Sequence, residues 1–282
     1  MYNNLKESIL KEYPRLNADE TFKFSCHKAI GCFNSCCADV NILLTPYDVL
    51  RMKKALHLSS EDFLGEYTVP LLSVGQKFPL ILLKMKDDAA KTCPFVGPQG
   101  CTIYTDRPWP CRMFPVGMAS SKTEQRPDGE EFYFLMKEEG FPCLGFQEDR
   151  EWTLAEWWGA QEIDVYNEKS SPFKDFTLHR KLQGEGTTGL EPAEMNIMHM
   201  ALYDIDRFRD HLFNSKFFSL FEIDEDLINN IKDDDEALLD FGYKWLRFCL
   251  FREPTISIRS NVAEKRRDEM AKEIERIRGK HE

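Results

Sequence analysis

The sequence predicts an α+β protein that is predominantly α-helical: a metal-organised, cysteine-rich module with a small antiparallel sheet, followed by a helical C-terminal part. Three observations lead there. Eight of the nine cysteines fall at or before position 143. Between about 78 and 137, short runs rich in β-branched and aromatic residues alternate with Gly, Pro and Asp. From Pro192 onward nearly every stretch has helical apolar spacing.

Within that frame the elements follow in order. Residues 3–12 read as a short helix. The cysteine-rich FSCHKAIGCFNSCC comes next, then TPYDVLRMKKALHL, where Thr45 stands at an N-cap position and Pro46 at the first helical one. Ser59 with Asp62 opens a second short helix. FPLILLKM, CTIY and EFYFLMK read as strands, with the polar stretch 120–131 as a loop. TLAEWWGAQEIDVYNE is one helix opened by a Thr153/Glu156 capping box. Residues 169–190 read mostly as loop. PAEMNIMHMALYDIDRFRDHLF, DEDLINNIKD and DDEALLDFGYKWLRFCLF are helical, and 261–282 is a highly charged helix. The expected division is a cysteine-cluster metal-binding module over 1–168 and a helical region over 190–282.

The chain has 282 residues and a formal net charge of −11, with 42% hydrophobic and 30% charged residues. That acidity argues against nucleic-acid or anionic-membrane partners, and no apolar run is long enough to cross a bilayer. The first residues, MYNNLKESILKEYPRL, lack the apolar core of a signal peptide. The expectation is a cytoplasmic protein acting on a protein or small-molecule substrate. In a reducing compartment nine cysteines, an odd number, read as metal-binding or catalytic rather than as a disulfide framework.

The cysteines are spaced Cys26-x5-Cys32-x3-Cys36-Cys37, then Cys93-x7-Cys101-x9-Cys111, then Cys143. Thiolate is a soft ligand suited to zinc and to iron–sulfur clusters, and four thiolates complete one tetrahedral zinc or one cubane cluster. Eight therefore serve two sites, or one site plus reactive thiols. Cys36 and Cys37 are adjacent, so in an extended chain or a helix their side chains diverge and face different sites. The alternative for each cysteine is simple burial as a small core residue. For the set that is disfavoured, because the eight sit beside Gly, Pro and turns. For Cys249, inside FGYKWLRFCLF, core packing is the preferred reading.

FSCHKAIGCFNSCC with LTPYDVLRMKKAL after it, CPFVGPQGCTIYTDRPWPCRMFPVGM, FPCLGF and WTLAEWWGAQ together resemble the YkgJ-type cysteine-cluster family of zinc- or iron-chelating domains. The cysteine region of flagellin lysine N-methylase is similar to these. The resemblance covers roughly 22–165. It implies metal ligation by Cys26, Cys32, Cys36, Cys37, Cys93, Cys101, Cys111 and Cys143, holding an iron–sulfur cluster (4Fe-4S) or zinc. The first gap of five residues departs from the family's two or three, which bears on the equivalence of Cys26.

Arg107 and Arg112 bracket Cys111. As cofactor-binding residues they would offset the negative charge of a thiolate-ligated centre or hold an anionic substrate group; an ordinary surface ion pair is the bland alternative. His27, beside Cys26, is a weaker ligand candidate. GEGTTG at 184–189 matches G-x-G-x-x-G in letters only, because no strand–turn–helix context surrounds it. Three functions compete on these grounds. The first is an iron–sulfur protein with redox or group-transfer chemistry, protein methylation included. The second is a zinc-stabilised interaction protein without catalysis, and the third is metal handling by labile thiolates.

Overall fold

Thr45 caps its helix as a reciprocal box. In the computed structural model its hydroxyl accepts from the Asp48 amide, and its own amide donates to the Asp48 carboxylate over 2.8 Å. The helix, α1, runs Pro46–Leu56 and closes on His57 in the left-handed region. Ser59 caps α2, Ser60–Tyr67, with its hydroxyl, which accepts from the Asp62 amide over 3.1 Å. The structure describes residues 13, 15–17, 19–71, 77–120, 122, 129–137, 143–183 and 189–278. The helix expected over 3–12, most of the loop over 120–131 and residues 184–188 of GEGTTG lie outside the described residues.

Among the described residues the chain is a mixed α/β protein with several small antiparallel sheets and a largely helical C-terminal part. It divides into two units, 1–195 and 196–282. In the first unit, β1 (Arg15–Leu16), β9 (Glu131–Leu135) and β8 (Val116–Ser120) form a three-stranded sheet in the order β1-β9-β8. A second such sheet joins β3 (Leu43–Leu44), β5 (Ile81–Leu83) and β4 (Thr68–Pro70) in the order β3-β5-β4. β2 (Thr21–Lys23) pairs with β10 (Glu151–Thr153), and β6 (Val96–Gly97) with β7 (Gly100–Cys101). The expectation of one small sheet thus becomes several two- and three-stranded ones, because Gly, Pro and Asp stop each run before it can extend. Of CTIY, only Cys101 is in a strand; Tyr104–Asp106 is a 3₁₀ turn.

The helix expected over 153–168 is two. α4, Leu154–Gln161, ends where Glu162 turns left-handed (φ 54°), and α5 continues over Ile163–Thr177. α5 corrects the loop expected over 169–190: it carries Pro172 internally, and a further turn follows at Arg180–Gln183. Buried Phe173 and Phe176 supply apolar contact that offsets the hydrogen bond lost at Pro172.

The core of this unit gathers Phe22, Phe24, Met113, Val116, Trp152, Trp157 and Ile163. Phe24 meets Phe114, Phe146 and Trp157 edge-on. The indole of Trp152 donates to the Phe24 carbonyl over 2.8 Å, and that of Trp157 to the Met113 carbonyl over 3.2 Å. Aromatic area is thereby buried without stranding either indole N–H. Phe24 lies two residues before Cys26, so this core anchors the start of the cysteine segment.

The second unit is helical. Its segments include Ile205–Phe213, Glu225–Asp233 and Asp235–Leu246, with Leu202, Phe208, Leu212 and Leu246 fully buried. The helix Pro192–Leu202 ends at Tyr203–Asp204, where one continuous helix was expected. Asp235–Leu246 passes into a π-helical turn, Arg247–Phe251, which contains Cys249 in a half-buried position. The charged helix spans Ser260–Arg278. No helix among the described residues is long and apolar enough to cross a membrane.

Candidate metal centre

Tight turns and a hairpin position the thiols. From His27 to Cys37 the backbone folds on itself: Ile30 N donates to His27 O, Phe33 N to Ile30 O, Ser35 N to Cys32 O and Cys37 N to Asn34 O. Asn34 takes a left-handed conformation (φ 69°) to start the last 3₁₀ turn, Ser35–Cys37. Asparagine tolerates that region better than most residues.

Remote segments close on this stretch. The Ser25 amide donates to Gly145 O over 3.0 Å, and the Leu144 amide donates to the Cys32 Sγ over 3.2 Å, which brings Cys143 alongside. On the other side the Cys93 amide donates to Cys37 O over 2.7 Å, and Ala38 bridges Thr92. The β6–β7 hairpin sets Cys101 opposite Val96, whose amide returns to Cys93 O. Gly100 turns that hairpin with φ +105°, and a Cβ there would come within 3.2 Å of the Phe33 ring. Cys111 lies in α3, Trp109–Met113.

Cys26, Cys36, Cys37, Cys93, Cys101 and Cys111 share one cleft of about 1230 Å³, walled largely by Phe24, Phe33, Phe95, Phe114 and Trp157, with Arg107 in its lining. Among the described residues, no three His, Cys, Asp or Glu side chains are gathered as a ligand set for one metal ion. The expectation of a module already organised around metal is therefore not met by the geometry, although the thiols are electrostatic neighbours. All nine cysteines are free.

The thiols differ in proton affinity. Crowding by protein atoms pushes Cys26 up to about 11, and nearby Cys36, Cys143 and Cys32 add to it. Cys111 opens to the cleft yet sits deep within it, and burial pushes it up to about 12, reinforced by Cys93 and Cys101. Burial likewise raises Cys93, Cys101 and Cys143; Arg107 works against it at Cys101. The side-chain hydrogen bond between Cys36 and Cys37 lowers Cys36 to about 7 and raises Cys37.

The two arginines are placed differently. Arg107 is buried, donates to Tyr104 O and the Gln161 side-chain carbonyl, and stacks 3.8 Å from the Tyr104 ring centroid. It interacts electrostatically with Cys101 and Cys111. Arg112, 1% exposed, spends all five of its N–H groups elsewhere: on the carbonyls of Thr105, Arg107 and Gln161, the Glu162 carboxylate and the Tyr166 hydroxyl. His27 stands 3.0 Å from the Glu148 carboxylate.

Sequence reasoning missed Asp48 and Gln161. Asp48 is fully buried and accepts from the Trp109 amide over 2.8 Å, which ties α1 to the helix that carries Cys111. Its place in a capping box was the only available signal.

Residues 25–134 match the CxxCxxCC family, described as "putative zinc- or iron-chelating domain". A cysteine-cluster domain of that family spans this segment, in agreement with the resemblance carried by the motifs. The match takes in seven of the eight clustered cysteines; Cys143 lies beyond it. No curated protein and no solved structure matches the chain.

Proposed function

We propose that the cysteine-cluster domain ligates iron through its thiolates, as an iron–sulfur centre serving redox or group-transfer chemistry. The observation that carries this reading is the cleft. Six of the clustered thiols and Arg107 line a space of about 1230 Å³, far more than thiolate ligation alone requires. A purely structural zinc has a closed ligand shell and needs no adjoining room for a reactant.

The donor set fits such a centre in chemistry and number: soft thiolates, enough of them, and a cation beside them. Cys26, Cys32, Cys36, Cys37, Cys93, Cys101, Cys111 and Cys143 are the proposed ligands. When bound, an iron–sulfur cluster supplies one-electron transfer. The chain's own residues do the rest. Arg107 offsets thiolate charge at Cys101 and Cys111, and Gln161 and Tyr104 fix its guanidinium. Because most of these thiols are held above their usual range, ligation is accompanied by proton release.

The test is purification without oxygen, followed by metal and sulfide analysis. A brown protein with iron and acid-labile sulfide is the expected result. A colourless protein with stoichiometric zinc overturns it in favour of a zinc-stabilised interaction module.

A further inference from the structure

We infer that the eight clustered cysteines make two separate four-thiolate centres that meet at the Cys36–Cys37 peptide bond: Cys26, Cys32, Cys36 and Cys143 form one, and Cys37, Cys93, Cys101 and Cys111 the other. This rests on the proposed metal ligation and adds to it the number of centres, their membership and their junction. It also takes in Cys143, which the family match leaves out.

Backbone geometry separates the two groups. Cys26, Cys32 and Cys143 are brought together by the Ser25–Gly145 hydrogen bond and the Leu144–Cys32 contact, and the Ser35–Cys32 turn carries Cys36 to the same side. Cys37 belongs elsewhere, because its carbonyl is fixed by the Cys93 amide and the following residue bridges Thr92. The β6–β7 hairpin then delivers Cys101 next to Cys93. Cys111 enters from α3, whose first amide is held by Asp48.

The electrostatic neighbours divide the same way. Cys26 is influenced by Cys36, Cys143 and Cys32, and Cys143 by Cys32 and Cys36. Cys37 is influenced by Cys111 and Cys93, and Cys111 by Cys93 and Cys101. The groups touch through the adjacent Cys36 and Cys37, which share a hydrogen bond and repel each other when ionised. Cys36 acts on Cys26 and Cys143 while Cys37 is influenced by Cys93 and Cys111, so the adjacent pair marks the junction of the two groups. Loading draws each set of four sulfurs inward from its present spacing and replaces the Cys36–Cys37 hydrogen bond with two separate bonds to metal.

The experiment uses the full chain, stripped of metal and reconstituted without oxygen using ferrous iron and sulfide, and in parallel using zinc alone. At partial loading, free thiols are alkylated and mapped by mass spectrometry. The expected result is protection in blocks of four, with Cys26, Cys32, Cys36 and Cys143 rising together and Cys37, Cys93, Cys101 and Cys111 rising together. Protection that mixes the two groups, or that leaves Cys143 reactive at full loading, overturns the inference while leaving metal ligation standing. A chain that takes up neither metal overturns the ligation reading itself. Substitutions give a second readout: Cys143→Ser and Cys101→Ser should each lose about half the bound metal, and the double variant nearly all of it. If Cys143→Ser retains the full wild-type amount, the partition is wrong.

Discussion

The Arg112 guanidinium lies 4.0 Å from the centroid of the Tyr166 ring and donates to that residue's hydroxyl over 3.0 Å. With its other donors on Thr105, Arg107 and Gln161 carbonyls, Arg112 ties the loop before Cys111 to the junction of α4 and α5. Arg112→Gln strands several buried carbonyls and should cost about 3–5 kcal/mol. Arg112→Lys should recover only part of this, because an ammonium cannot reproduce the planar fork. Tyr166→Phe should cost about 1 kcal/mol. Denaturant midpoints of the three variants provide the check, and a wild-type midpoint for Arg112→Gln would refute the clamp.

Arg107 faces the thiols, so its removal should act on the metal more than on the fold. Arg107→Gln is expected to weaken metal retention by about 10–100-fold, the usual range for residues that support ligands from behind. Arg107→Lys should be intermediate. Competition with a chelator measures both. Cys249→Ser, in the second unit, should retain metal like the parent protein.

Asp48 gives a pH signature. Burial pushes its carboxyl up to about 6, against the opposing hydrogen bonds from the Trp109 amide and Thr45. The native state therefore binds this proton more tightly than the unfolded chain does. The group's contribution is fully present below about pH 4, the unfolded value, and is lost as pH rises through about 6. Asp48→Asn removes that dependence. The stability advantage of the parent over Asp48→Asn should grow on acidification from pH 7 to 4.5, by about 2 kcal/mol. Denaturation series at the two pH values decide it, and a constant difference would contradict the assignment.

Gly145 sits where a side chain has no room. A Cβ there would come within 2.9 Å of both the Phe24 ring and the Ser25 carbonyl oxygen. Gly145→Ala should cost about 1–3 kcal/mol and, by moving Ser25, loosen metal held by Cys26. Gly65→Ala, in α2 with nothing within 4 Å, should instead stabilise by about 0.5–1 kcal/mol. Thermal melts of the two variants should shift in opposite directions.

Local chemistry made much of this legible in advance. Thr45 and Thr153 cap their helices because capping depends on residues three apart, and the family resemblance over the cysteines reflects spacings written in the chain. Long-range choices were hidden. Nothing near Glu162 says that it turns left-handed, since the Arg112 fork on Gln161 and Glu162 comes from fifty residues away. The continuation of α5 through Pro172 depends on the burial of Phe173 and Phe176, which propensity does not register. Arg107 and Arg112 look equivalent around Cys111, and only the packed structure tells the thiol-facing one from the carbonyl-facing one.

The Leu144–Cys32 contact reaches across 112 residues. In a chain made from its N-terminus, Cys26, Cys32 and Cys36 leave the ribosome long before Cys143 exists. The Cys37, Cys93, Cys101 and Cys111 group, by contrast, is complete once Cys111 has emerged. On the two-centre inference, maturation has an order set by chain growth, with the second group able to take up metal first. The earliest thiols then wait, exposed to oxidants and to competing ions, for a partner translated much later.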